Sequence, residues 1–212
     1  VLAASLEKRQ REMRLELSRR GVETVLDPLA LELATPGGWD RESLRGLDWA
    51  GEQIHTPRYF AGAGVAALAD PIAKFAAEKR YSALIAPTHY ITGVDDAWWA
   101  ADRRVVRRLR FPLDAAGRRD AGIYYRLALS RRVLLDGEQR YALIAGLAEL
   151  ETDAVWLCVH PVSARCGPLV LRSYVELCQD FHRLQLPVVA ERTGFAGLAL
   201  LGFNAVGGIE SG

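Results

Sequence analysis

Short apolar runs without alternation recur along this chain, each followed by a longer stretch with helical spacing. Residues 83–86, 154–159 and 187–190 show this most plainly. A strand with one face in water alternates apolar and polar residues, whereas a strand covered on both faces does not. Unbroken runs separated by helical stretches therefore predict a parallel sheet wrapped by helices, built from repeated βα units. The expected strands are 1–5, 22–26, 83–86, 123–129, 154–159, 187–190 and 205–209. The expected helices are 6–20, one opened by Asp70-Pro71 as N-cap and first residue, 95–109, 137–150, 168–184 and 194–202. Seven such strands predict a (β/α)8 barrel of the TIM type, its eighth strand lying beyond the chain end. Two unpaired edges would otherwise remain.

At 212 residues, half of them hydrophobic, the chain is expected to bury one core as one domain. No apolar run reaches the length of a membrane span, so no membrane role is expected. Cys158, Cys166 and Cys178 are odd in number and form no C-x-x-C pair, which fits a reducing cytoplasm. The net charge of +1 advertises no polyanion partner. Arginines nonetheless cluster at Arg103-Arg104, Arg107-Arg108, Arg110 and Arg118-Arg119. These could grip phosphates bidentately, or lie on solvated helix faces among neighbouring acids. Residues 29–65, rich in Gly, Pro and aromatics, read as a long rim loop that closes over a ligand as a lid.

In such barrels, chemistry sits where strands hand over to the following loops. Those positions carry Asp27, Thr88, His89, Tyr90, Arg126, His160, Glu191, Arg192, Thr193 and Glu210. Three chemistries compete for this set. His89, His160, Glu191 and Asp27 are metal-ligand types, but their spacing matches no metal motif, and no metal is assigned. Asp27 or Glu191 could act as general base with a histidine partner. Arg126, Arg192 and the Gly207-Gly208 backbone could bind phosphate or carboxylate, since paired glycines let N–H groups approach an anion. The catalytic candidates are therefore Asp27, His89, His160 and Glu191, and the ligand-binding candidates are Arg126, Arg192, Gly207, Gly208 and Glu210.

Two stretches resemble a known family. Val25-Leu26-Asp27 is similar to the strand-end Asp of the tRNA-guanine transglycosylase superfamily, and Gly207-Gly208-Ile209-Glu210-Ser211-Gly212 resembles its Gly-Gly-Leu loop. The resemblance implies a barrel that exchanges guanine or a 7-deazaguanine in nucleic acid, with Asp27 as acid–base carboxylate and Gly207-Gly208 as base cradle. It implies no cofactor within this chain, and a structural zinc in a missing C-terminal part. Here Asp27-Pro28-Leu29 replaces the family's Asp-Ser-Gly-Gly-Phe run.

Base exchange on nucleic acid is thus the expected function. A barrel enzyme acting on a small phosphorylated metabolite (a metal-dependent lyase, isomerase or hydrolase) and a non-catalytic barrel that binds nucleic acid or protein are the alternatives. A homodimer or larger assembly is compatible with all three.

Overall fold

The computed structural model describes residues 1–162 and 166–210. In chain order the elements are β1 (Leu2–Ala3), α1 (Glu7–Arg19), β2 (Val25–Asp27), α2 (Ala30–Leu33), α3 (Glu42–Arg45), α4 (Ala63–Lys79), β3 (Ala83–Ile85) and β4 (Tyr90–Ile91). There follow α5 (Ala97–Ala115), β5 (Gly122–Ser130), α6 (Arg131–Leu135), α7 (Gly137–Ala148), β6 (Ala154–His160), α8 (Pro168–Arg183), β7 (Val188–Glu191), α9 (Phe195–Gly202) and β8 (Gly208–Glu210). Every strand pairing is parallel, in the order β1-β2-β3-β5-β6-β7-β8, with β4 also on β5. The α/β architecture is as expected. The sheet curls like half of a barrel and stays open, because β1 and β8 are not paired with each other.

Both faces of this sheet are covered at its centre, which is why its strands do not alternate. Leu26, Leu84, Ile123, Tyr125, Leu127, Val155, Leu157 and Ala190 belong to the main core beneath the helices. Residues one position away, Val25, Ala83, Ile85, Tyr124, Trp156 and Val189, form a separate cluster on the concave face. Side chains of period two from opposite faces give these two cores.

Several elements differ from the sequence reading. The helix expected to open at Asp70-Pro71 begins at Ala63 and runs straight through Pro71. An interior proline costs about 3 kcal/mol. Burying Leu68 and Ile72 offsets it, at about 1.5–3 kcal/mol for each large side chain, with Ala69, Ala73 and Ala76 added. Asp70 is no cap; both its oxygens accept from Arg108, at 2.9 and 2.8 Å. The sheet holds one strand more than predicted, because Tyr90-Ile91 pairs with Ala128-Leu129. Thus β3 and β4 are two parts of one interrupted strand along β5, broken where Pro87 has no N–H to donate.

The last strand starts later than predicted. Ala205 N–H still closes the end of α9 on Leu200 O, and Gly207 N–H donates to Val188 O at the beginning of β7. β8 therefore opens at Gly208, with Gly207 just before it, three residues later than the expected start at 205. Residues 29–65 contain α2 and α3 and contribute Leu33, Leu44, Trp49, Ala50 and Phe60 to the core. Trp49 Nε1–H donates to Pro28 O at 2.9 Å, tying this segment to the end of β2.

Candidate functional site

Two strand ends, Asp27 of β2 and Glu191 of β7, meet on one guanidinium, whose own residue lies within a strand and not where a strand hands over to a loop. Arg126, in the middle of β5, points to the concave face. Its Nη2 donates to Asp27 Oδ2 at 2.9 Å and its Nε to Glu191 Oε2 at 2.9 Å. In a flat sheet β2 and β7 would lie four strand spacings apart, about 19 Å. That one side chain bridges both is direct evidence of the curl. All three residues are buried.

A buried cation between two buried acids raises the arginine's own affinity for its proton: burial opposes the charge, but Asp27 and Glu191 outweigh it. The two acids are held differently. Asp27 also accepts from Leu29 N–H at 2.8 Å, so each of its oxygens has a donor. Glu191 has its Oε1 3.5 Å from the exposed Arg192, and burial pushes its carboxyl above the usual range against the pull of Arg126. Glu32 on α2 is shifted upward as well, by burial and by the charge of Asp27. The residues flanking the two acids, Leu29 (φ 60°) and Arg192 (φ 55°), are both left-handed. Such non-glycine backbone costs on the order of 1–2 kcal/mol per residue and gathers where surroundings enforce it, often at functional sites.

Glu210 lies beside Glu191 in register and accepts from Trp156 Nε1 at 3.0 Å. His160 sits at the end of β6, opposite Ser130, and is exposed. Cys158 shares the concave face, with its thiol pushed up to about 11 by burial and by Glu191. Thr88 Oγ1 donates to Arg126 O. Thr193 is buried, and Tyr90 is exposed on β4. Gly207 and Gly208 do not join this group. They lie at the opposite end of the sheet, since β8 runs parallel to β7 and begins beside Val188 and Val189. Ser211 and Gly212 of the same motif lie outside the described residues.

His89 forms a second centre with residues that sequence reading missed. Asp102, buried on α5, accepts from the His89 backbone N–H and from Nδ1, both at 2.7 Å. The His89 ring stacks on Trp98 at 3.7 Å between centroids, with Phe60 at 5.6 Å and His55 at 6.2 Å. Burial pushes the Asp102 carboxyl upward against His89. Burial lowers His55 to about 4, with His89 adding to the effect.

No family model matches this chain, and neither does any curated protein.

Among the described residues no three His, Cys, Asp or Glu side chains gather as metal ligands, so His89, His160, Glu191 and Asp27 do not form a joint site. No helix among those residues is long and apolar enough to cross a membrane. The arginine clusters are largely engaged: Arg103 and Arg107 with Glu149, Arg108 with Asp70, Arg110 with Asp153 and Arg118 with Asp120. Glu32, Asp102 and His55 were invisible as site residues. Asp102 reads as one polar position of an amphipathic helix, and its role comes entirely from a partner 13 residues back.

Proposed function

We propose that the chain is a barrel-type enzyme that exchanges a purine or 7-deazapurine base on a nucleic acid, by acid–base chemistry of paired carboxyls at the C-terminal ends of its strands. The observation carrying this reading is the unequal pair on Arg126: Asp27 with a donor on each oxygen, Glu191 pushed toward its protonated form. A carboxyl raised toward its protonated form, beside a carboxylate held by a donor on each oxygen, supplies one acid and one charge. In the exchange the C1′–N bond breaks and its electron pair leaves with the base. Glu191 gives its proton to that nitrogen, and the Asp27 carboxylate stabilises the positive sugar. The incoming base attacks C1′ through its nitrogen and returns its proton to Glu191, which restores the site. Arg192, exposed beside Glu191, suits a backbone phosphate. Gly207-Gly208 has no part in this scheme, because it lies at the other end of the sheet.

The test is incorporation of labelled guanine or 7-deazaguanine into RNA and DNA. Glu191→Gln is expected to lower incorporation by about 10²–10⁴-fold while leaving nucleic-acid binding intact. Wild-type incorporation is expected to decline as pH rises and Glu191 loses its proton. The exposed guanidinium of Arg192 also favours a second reading, a small phosphorylated substrate for the same carboxyls. Wild-type protein that exchanges no base but turns over such a substrate would establish that one instead.

A further inference from the structure

His55 and His89 each have one ring nitrogen committed and one left over. His55 Nε2 lies 3.2 Å from Trp49 O and 3.1 Å from Ala50 O. Carbonyl oxygens only accept, so Nε2 carries the hydrogen and Nδ1 a lone pair. His89 Nδ1 donates to the Asp102 carboxylate, whose other oxygen is occupied by the His89 backbone N–H, so in the neutral imidazole Nε2 carries the lone pair. Both leftover nitrogens, His55 Nδ1 and His89 Nε2, are buried without a hydrogen-bond partner. A histidine whose far nitrogen donates to a carboxylate or a backbone carbonyl is oriented as metal-binding histidines are.

The ring centres are 6.2 Å apart. A metal–nitrogen bond is about 2 Å and a ring centre lies about 1 Å behind its nitrogen, so one ion bonded to both nitrogens in line sets the centres about 6 Å apart. The walls are aromatic: Phe60 touches both rings, Tyr59 stacks on His55 at 5.9 Å and Trp98 on His89. Two nitrogen donors in apolar walls suit a soft ion of low coordination number, while Zn²⁺ takes four ligands. A single positive charge there would be balanced by the buried Asp102 carboxylate.

We propose that His55 Nδ1 and His89 Nε2 form a two-coordinate site for Cu(I), with Asp102 as its charge-balancing positioning residue. This inference is independent of the base-exchange reading. The experiment is anaerobic titration of the reduced protein with Cu(I) against a coloured chelator, with X-ray absorption of the product and thermal melting with and without the ion. One equivalent is expected to bind through two nitrogen scatterers and no sulfur, and to raise the melting temperature. His55→Gln and His89→Gln are expected to abolish that component, and Asp102→Asn to weaken it about 10–100-fold. Sulfur scatterers would overturn the proposal by assigning the ion to cysteine. So would unchanged affinity in folded variants. No uptake and an unchanged melting temperature in the wild type would also overturn it, leaving a buried water between the two nitrogens.

Discussion

Arg126 donates to two acids that the fold has removed from water, so its loss should cost more than any single hydrogen bond. Removing one partner of a buried ion pair typically costs about 3–5 kcal/mol, because an uncompensated charge stays behind. Arg126→Met is expected to lower unfolding free energy by that amount near pH 7, as measured by urea denaturation. The deficit should shrink as the pH falls and Glu191 takes up a proton. His55 has the opposite sign. Its folded-state value, about 4, lies below its ordinary 6.5. Its contribution is therefore complete above pH 6.5 and is lost as pH falls from 6.5 toward 4, by about 3 kcal/mol at about 1.4 per unit. Glu32 and Glu191, both raised, favour the folded state as pH falls toward 4.5. The difference between wild type and His55→Gln isolates the histidine: the variant should lose less stability between pH 7 and pH 4.5. Asp27 and Glu191 were legible as strand-end residues, whereas Arg126, grouped with them, lies in the middle of β5. The convergence of the three was not legible, since it joins positions 99 and 65 residues apart.

At the scale of elements, the sequence reading recovered most of the longer helices and strands, because burial on two faces leaves an apolar run that no loop resembles. It missed α2, α3, α6 and β4, which are too short to show a period. It also misplaced boundaries where local signals and packing disagree, among them the end of α5, expected at 109 and found at Ala115 beyond an interior Pro112. Asp70-Pro71 has the chemistry of a helix start, yet the buried stripe of α4 continues through it. Pro71→Ala is accordingly expected to stabilise the protein by about 1–3 kcal/mol in chemical denaturation, by restoring helix propensity and a backbone donor. Gly146 on α7 offers a contrary case. A methyl there would sit 2.6 Å from Trp99 Cζ2. Alanine gains about 1 kcal/mol of helix propensity over glycine, whereas overpacking costs about 1–3 kcal/mol. Trp99 is buried and cannot swing away. Gly146→Ala should therefore be neutral to destabilising by up to about 2 kcal/mol, in contrast to Pro71→Ala.

At the largest scale, the open sheet leaves β1 and β8 as edges among the described residues. Beside β8, α9 and its end expose Phe195, Leu198 and Phe203. An unpaired edge next to apolar surface favours self-association. Leu198→Glu combined with Phe203→Ser is expected to reduce concentration-dependent light scattering without altering the melting temperature by more than a few degrees.

The bridge made by Arg126 also bears on the order in which the molecule assembles. Its two contacts close chain segments of 99 and 65 residues, and long closures are entropically late. The bridge can form only once β2, β5 and β7 stand in a bent sheet, so it acts as a latch set after the folding barrier. Weakening it should leave the refolding rate nearly unchanged and accelerate unfolding by almost the whole stability loss, the signature of a contact absent from the transition state. Stopped-flow chevrons of wild type and Arg126→Met would read this directly. The acid pair would then be the last part of the protein to take shape and the first to come apart.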